Sequence, residues 1–352
     1  MPLDSKPRIG LAGTLDLKRR GKEVAPVFSQ ILERDGFEIV SENTVDILIN
    51  INHNWLSSRE QEGRNIFRVL IRLEPAAVYP AQFTKKIESL YDLVLTPGQP
   101  GTSRQEFIRW PYQFQKNPLQ PDLIVTALSD VLKTQIENGV YSFQNWSKRE
   151  IFCSLIAANK VSPNGSGNYS LRRNFGNKVL SPNLEIYGEL WRADILSKLR
   201  HRIGVLNFAF SSGSSFHLKH IFVNLFHRYP SVKGPIQNKQ LVAANSKFSL
   251  VIENSDSYVS EKLIDALISG SIPVYFGTSF TATSLPENLV IRYSGPEENL
   301  IPFLLGLDSQ FIVEILQNIQ RFILSDEILM WDAREVFKSI SNRIKLEYLG
   351  GV

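Results

Sequence analysis

The sequence is poor in cysteine and has no long apolar run. Cys153 is the only cysteine among 352 residues, so neither an internal disulfide nor a cluster of thiolate metal ligands can form. No window approaches the ~18 consecutive apolar residues of a membrane-spanning helix. The first residues, MPLDSKPRIGLAG, lack the apolar core of a signal peptide. These absences predict a protein that is made and kept in a cytoplasm, without a transmembrane segment.

The excess of positive charge is also small. Lys and Arg total 39 against 35 Asp and Glu, which gives a formal charge of +4 and a pI near 9.0. The basic runs, such as Lys18-Arg19-Arg20 and Arg172-Arg173, are short and scattered. The charge therefore argues against a nucleic-acid partner. It would allow at most a weak peripheral contact with an anionic membrane.

What the sequence does contain is an alternation of short apolar strands and helices. Its composition is 43% hydrophobic and 21% charged, and its length is comfortable for two domains. The first hundred residues show the pattern of a parallel, doubly wound α/β sheet. Helices are predicted over 24–36 and 81–90. The predicted strands are 8–13, 37–40, 45–51, 65–73 and 91–96.

A second α/β segment follows a bridge over residues 139–150. Its predicted strands are 151–159, 184–188, 247–254, 271–277 and 289–295. Apolar residues at helical spacing after residue 299 predict a helical tail. We therefore predict an N-terminal domain over 1–145, a second domain over 146–305 and a helical tail over 306–352. Two successive α/β domains predict a cleft binder, because ligands gather at the carboxyl ends of parallel strands.

A polar patch separates two apolar strands in the second domain. Glu253 and Asn254 end one strand, and Glu261 and Lys262 open the helix that leads to the next. Free N–H groups and the helix dipole make this place an anion site, to which Lys262 adds a positive charge. Glu261 would accept hydrogen bonds from hydroxyls, so a nucleotide sugar fits the patch. The simpler alternative is that Glu261 merely suits a helix N-terminus and that Lys262 is solvated.

The wider pattern is more specific than these single residues. It contains Phe248, the run Glu253-Asn254-Ser255, the run YVSEK over 258–262, and an apolar-Pro-apolar strand, Ile272-Pro273-Val274, that ends at Gly277. This pattern resembles the signature F-x-x-x-x-E-N-S, gap, Y-V-T-E-K, helix and strand of the α-1,3/1,4-fucosyltransferases, glycosyltransferase family 10. Serine replaces the usual threonine and keeps the hydroxyl.

The resemblance implies a GT-B-like fold, in which two Rossmann-like domains face a cleft. It implies inverting transfer of L-fucose from GDP-fucose to a hydroxyl of an oligosaccharide acceptor, such as O3 or O4 of GlcNAc. A bacterial enzyme of surface polysaccharide synthesis fits the lack of an anchor and of paired cysteines. Spacing back from Gly188 favours Arg173 over Arg172 as the arginine that contacts the diphosphate. The implied donor-binding residues are Arg173, Glu253, Asn254, Tyr258, Glu261 and Lys262.

Glu74 resembles the general base of the family. It follows the predicted strand 65–73 and precedes Pro75, which favours an extended conformation at the strand end. The sequence lacks the family's second Glu and Ser before the proline, so an ordinary strand-end role stays open. Two other functions stay open with it. One is a GT-B enzyme that uses another sugar nucleotide, and the other is a catalytically silent protein that binds a GDP-sugar or a glycan.

Histidines supply one further candidate and no metal site. His53 follows a strand and is predicted to point into the cleft and contact the acceptor sugar. His217, His220 and His227 lack an acidic third ligand at a recognised spacing, and an amphipathic helix explains them better. Some family members are stimulated by Mn²⁺ or Mg²⁺, but the cleft segments contain no Asp-x-Asp motif. We therefore expect no required cofactor and a dispensable metal.

Overall fold

Two parallel sheets form the frame of the protein. The computed structural model describes residues 6–13, 27–40, 45–53, 65–98, 100–112, 128–160, 162, 165–191, 231–281 and 283–350. Every paired strand within them runs parallel to its neighbour. The predicted α/β fold, with two doubly wound sheets and a helical C-terminal region, is confirmed.

The first sheet has six strands in the order β2-β1-β3-β4-β5-β6. They are β1 (Arg8–Gly13), β2 (Glu38–Ile39), β3 (Ile47–Ile51), β4 (Phe67–Ile71), β5 (Leu93–Thr96) and β6 (Gln105–Phe107). All residues of β3 and β5 are buried, as the apolar runs predict for central parallel strands. Residues 27–34 form helix α1, and the predicted helix 81–90 is divided into a 3₁₀ turn (Pro80–Phe83) and α2 (Lys85–Glu88).

The second sheet has five strands in the order β11-β10-β7-β8-β9. They are β7 (Ile151–Ile156), β8 (Leu184–Tyr187), β9 (Val232–Gly234), β10 (Ser246–Ile252) and β11 (Ile272–Phe276). The strand order reverses between β7 and β10, because β8 lies on one side of β7 and β10 on the other. A crevice for ligands is expected at the carboxyl ends of these two strands.

The remaining helices cover the sheets and join them. They are α3 (Leu128–Glu137), α4 (Phe143–Ser147), α5 (Tyr169–Lys178), α6 (Lys239–Ala244), α7 (Glu261–Ile268), α8 (Leu300–Leu305), α9 (Ser309–Ile323), α10 (Asp326–Leu329) and α11 (Ala333–Gly350). Helix α9 packs into the core of the second sheet, whereas α11 returns to the first, where Phe337 stacks on Phe28 at 4.7 Å. The helical tail thus contributes to both cores. The predicted domain boundaries stay a prediction.

The strand predicted over 289–295 is wrong. A 3₁₀ turn (Glu287–Leu289) precedes this segment, and only Ile291 pairs with β11, at Val274. The three-residue strands β6 and β9 were not predicted, because so short an extended segment has no detectable period. Within the described ranges, no single helix is long and apolar enough to cross a membrane. The segments Glu297–Leu305 and Ser309–Ile323 reach that length and composition only together, at 98° to each other.

Candidate functional site

A cavity of 320 Å³ opens at the carboxyl ends of β7 and β10, where the strand order reverses. Its wall includes the ends of these strands, the residues after β8, and side chains of α6 and α7. The charged residues that line it are Glu189, Lys239, Glu261, Lys262 and Asp265. Its volume lies in the range of small-molecule sites. The predicted pair Glu261 and Lys262 therefore lies at a cavity in the place that the topology favours.

Another cavity, of 720 Å³, lies between β6, α10 and α11. It is larger, but none of the predicted site residues lines it, and the structure describes all of them. Its position next to an edge strand is also remote from the point where the second sheet reverses its strand order. We therefore take the smaller cavity as the candidate site.

A buried carboxylate braces the amino end of α7. Glu253 is 0% exposed and accepts hydrogen bonds from the Ser260 amide (2.8 Å) and the Ser260 hydroxyl (2.6 Å). Lys262 Nζ lies 3.4 Å from the same carboxylate and 2.9 Å from the Ser260 hydroxyl. Ser260 also caps α7 by accepting from the Lys262 amide at 3.4 Å. Glu253 was predicted to bind the donor. It is buried and is not among the described residues that line the cavity, and its contact with Lys262 positions that lysine.

Glu261 lies between two lysines at the start of α7. Its carboxylate is 3.9 Å from Lys262 Nζ, and its side chain is 33% exposed. Burial would raise the pKa of Glu261, but the charges of Lys262 and Lys239 outweigh it and lower that pKa. The carboxylate is therefore ionised at neutral pH and available to accept hydrogen bonds in the cavity.

The structure brings Arg172, rather than Arg173, to the motif. The Arg172 guanidinium donates to the Ile252 carbonyl at 2.8 Å and to Asn254 Oδ1 at 2.5 Å, and the residue is 3% exposed. Arg173 lies on the same helix, α5, and donates to the Lys160 carbonyl at 3.1 Å. Arg173 is not among the described residues that line the cavity. Its predicted contact with the diphosphate therefore stays a prediction, and Arg172 joins the candidates.

Exchanging each arginine for methionine separates the two roles. Arg172→Met should lower the free energy of unfolding by about 2–3 kcal/mol, because a buried amide oxygen and a carbonyl lose a charged donor. Arg173→Met should lower it less, by about 1 kcal/mol, because Arg173 is only half-buried and donates to the Lys160 carbonyl at an exposed position. Urea unfolding and GDP titration of both variants check this. If Arg173→Met binds GDP as the unaltered protein does, the predicted diphosphate contact of Arg173 is wrong.

The motif loop, residues 253–260 between β10 and α7, also contacts the first domain. Tyr258 is 3% exposed, its ring lies 5.7 Å from that of Trp110, and its backbone forms a bridge with Gly98. A Cβ at Gly98 would lie 2.7 Å from the Ser257 carbonyl oxygen, so only glycine allows this approach. Buried Tyr258 thus joins the two domains. It is not among the described residues that line the cavity, so its predicted contact with the donor stays a prediction.

Glu74 lies in the first domain, and its charge acts on groups of the second. Two hydrogen bonds hold its backbone: the amide donates to Asn52 Oδ1 (3.1 Å), and the carbonyl accepts from Gln82 Nε2 (2.7 Å). Burial raises the pKa of Tyr169 to about 12, and the charge of Glu74 adds to the shift. The same charge helps burial to raise the pKa of Tyr258. The negative charge of Glu74 therefore acts on two tyrosines of the second domain, one on α5 and one in the loop between β10 and α7.

His53 does not agree with its predicted contact to an acceptor. It is 0% exposed, and its Nδ1 lies 2.6 Å from the Tyr91 hydroxyl. Its amide donates to Gln82 Oε1 at 3.3 Å, and its carbonyl accepts from the Tyr79 hydroxyl at 2.6 Å. Burial lowers the pKa of His53, so it is neutral at pH 7. His53 is therefore part of the buried hydrogen-bond network that also holds the Glu74 backbone through Gln82. The sequence could not distinguish this buried position from one in the cleft.

Within the described residues, no group of three or more His, Cys, Asp or Glu side chains could hold a metal ion. His217, His220 and His227 lie outside the described residues. The expectation of a dispensable metal therefore stays a prediction.

Sequence reasoning missed two residues that the structure places near the site. Lys239 lines the cavity from α6, and Asn52 holds the backbone of the Glu74 segment. Asn52 has a positive φ of 54°, a conformation that asparagine tolerates better than most residues. An asparagine directly after a buried strand was a usable signal. Lys239 offered none, because it lies outside every recognised motif.

Comparisons with known proteins agree with the motif. No family model matches the chain. A segment of 47 residues is 53% identical to an α-(1,4)-fucosyltransferase of Arabidopsis thaliana, and the match covers 13% of this chain and 12% of that protein. The resemblance to the fucosyltransferase family that the motif predicts is thereby confirmed.

The solved structures that resemble this one share its fold. The chain is similar to an α1,3-fucosyltransferase with a TM-score of 0.50 and 15% identity, over 99% of this chain and 92% of that one. It is also similar to HepE of Anabaena in complex with UDP-glucose, with a TM-score of 0.54 and 11% identity over 96% and 99% of the two chains. At these identities the comparisons show the fold, which is GT-B-like.

Proposed function

We propose that this chain is an inverting glycosyltransferase that moves L-fucose from GDP-fucose to a hydroxyl of an oligosaccharide, such as O3 or O4 of GlcNAc. The observation that carries the proposal is the Glu253–Ser260–Lys262 brace at the amino end of α7. It fixes a lysine at a helix N-terminus that lines a cavity. Such an arrangement suits a phosphate group.

The cavity suits both halves of a sugar nucleotide. Lys262 and the free N–H groups of α7 would bind the diphosphate, and the ionised Glu261 would accept from hydroxyls of the ribose or the fucose. Asn254, held by Arg172, is not among the described residues that line the cavity, so its contact with the donor stays a prediction. The residue set follows the motif that resembles the fucosyltransferases, and the segment similar to the Arabidopsis enzyme supports fucose as the sugar.

The chemistry would divide between the two domains. Glu74 would take the proton of the acceptor hydroxyl as its oxygen attacks the anomeric carbon. The bond from that carbon to the diphosphate would break on the opposite side, so a β-L donor gives an α-L product. Lys262 and the α7 N-terminus would stabilise the negative charge on the departing GDP. With these groups in place, we expect added Mg²⁺ or Mn²⁺ to be dispensable.

A second candidate is transfer from a UDP-sugar. The Anabaena protein, whose fold this chain shares, was solved with UDP-glucose, so the architecture suits either nucleotide. A third, a protein that binds the nucleotide without catalysis, remains because the segment before Pro75 departs from the family pattern. Such a protein would bind GDP but would show no fucose transfer and not even slow hydrolysis of GDP-fucose.

Thermal unfolding with added nucleotides tests the proposal. GDP and GDP-fucose should raise the Tm of the unaltered protein, because a ligand at a hundred times its Kd stabilises by ~2.7 kcal/mol. UDP and UDP-glucose should not, and Lys262→Ala should lose the shift with GDP. The control is Lys178→Ala. Lys178 is an exposed lysine on α5 that pairs with Glu297, and the variant should keep the rise in Tm with GDP. A shift with UDP alone would reject fucose, and no shift with any of them would reject a nucleotide-sugar site.

A further inference from the structure

A charged pair in the cavity wall has no part in the function proposed above. Lys239, on α6, is paired through Nζ with the carboxylate of Asp265, on α7. The Lys239 side chain is 42% exposed, whereas Asp265 is 7% exposed. The same carboxylate accepts from the Tyr112 hydroxyl at 2.9 Å and from Gln240 Nε2 at 3.4 Å. The pair is therefore fixed from one side and open to the cavity on the other.

The pair has unused hydrogen-bonding capacity. A carboxylate has about four acceptor positions and an ammonium group three donors. Three neighbours occupy Asp265, and one of the three Lys239 donors is directed at Asp265. One acceptor position and two donors remain, side by side, on groups that line the cavity. A ligand with an acceptor next to a donor would complete both.

The position of the pair indicates which part of a nucleotide it would meet. Glu261 and Asp265 lie four residues apart on α7, so their side chains point to the same face, roughly 6 Å apart. Lys239, Glu261 and Asp265 all line the same cavity, which places the pair next to the proposed hydroxyl site. A donor whose diphosphate binds at the amino end of the helix would therefore meet the pair with its nucleoside if that part also occupies the cavity.

We propose that Lys239 and Asp265 bind the base of the donor nucleotide and select guanine over adenine. Guanine presents the O6 acceptor beside the N1–H donor, so Lys239 would donate to O6 and the remaining acceptor position of Asp265 would take the N1–H. Adenine presents a donor and an acceptor in the reverse order and would oppose both. Uracil presents O4 beside N3–H in the same order as guanine, so the pair discriminates against adenine and not against uracil. Lys239 is then a specificity-determining residue, and Tyr112 is a positioning residue for Asp265.

This inference rests on the proposed donor site, and competition against a fluorescent GDP analogue tests it. The unaltered protein should prefer GDP to ADP by more than tenfold. Lys239→Met should lower the affinity for GDP about tenfold and leave the affinity for ADP unchanged, because a single base contact discriminates by that order of magnitude. Lys233→Met is the matched control, since Lys233 is also half-exposed and pairs with a carboxylate, Glu185, but does not line the cavity. Its nucleotide preferences should not change.

A second variant, Asp265→Asn, should gain affinity for one nucleotide, a result that a folding defect cannot produce. Asp265→Asn replaces an acceptor oxygen by an amide that donates, so it should lower the affinity for GDP and raise the affinity for ADP, whose adenine carries an acceptor at N1 in place of the guanine N1–H. If Lys239→Met lost affinity for GDP and ADP equally, Lys239 would contact the ribose or a phosphate. That result would overturn base selection but leave the donor site intact. If the unaltered protein binds no nucleotide, the donor site itself is wrong, and the inference is overturned with it.

Discussion

Glu74→Gln should lower the kcat of fucose transfer by roughly 10²–10⁴-fold, the usual contribution of a general base. Glutamine keeps the size of the side chain and its backbone hydrogen bonds, but it cannot take a proton from the acceptor. Affinity for GDP should change less than about twofold, because Glu74 lies in the first domain and outside the cavity wall. Steady-state transfer assays and GDP titration measure the two quantities separately.

The control for this variant is a glutamate that does not line the cavity. Glu137 is exposed on α3, where it pairs with Lys133, so Glu137→Gln should keep full activity. Asn52→Ala would disturb the same site indirectly, since it removes the oxygen that accepts from the Leu73 and Glu74 amides. Full transfer activity in Glu74→Gln would show that Glu74 is not the base.

Elements with a local cause were predictable from the sequence. The buried runs of β3 and β5 need no partner to be recognised, because continuous apolar residues bounded by polar ones indicate central parallel strands. Helix α7 was equally clear, since its cap Ser260, its first-turn Glu261 and the left-handed Gly270 after it all lie within one short segment. The reversal in the strand order, which locates the cavity, was not predicted, because the alternation of strands and helices indicates a parallel sheet but not the order of its strands.

The errors concern contacts between distant parts of the chain. Arg172 and Arg173 are adjacent, and neighbouring positions on a helix point about 100° apart, so spacing alone could not choose the one that reaches Asn254. His53 follows a strand as a cleft residue would, but Tyr91 and Gln82 enclose it. Lys239 reaches the cavity beside Asp265, and no local pattern encodes that pair.

Glu253→Gln should lower the free energy of unfolding by about 3 kcal/mol, the second large effect. The Glu253 side chain is fully buried, and it accepts from three donors: the Ser260 amide, the Ser260 hydroxyl and Lys262 Nζ. Glutamine would direct an NH₂ group at donors that it cannot satisfy and would leave Lys262 without its buried counter-charge. Urea unfolding measures the loss, and GDP titration should show weaker binding because Lys262 is no longer held.

The neighbouring motif glutamate provides the matched control. Glu261→Gln makes the same chemical change at a side chain that is 33% exposed and has a single ion pair at 3.9 Å. Exposed pairs contribute little, so the free energy of unfolding should fall by less than about 1 kcal/mol, while GDP-fucose binding weakens through the lost hydroxyl contacts. The two variants therefore separate stability from binding within one motif. Equal stability losses in both would mean that Glu253 does not brace the amino end of α7 and that Lys262 is held by other groups.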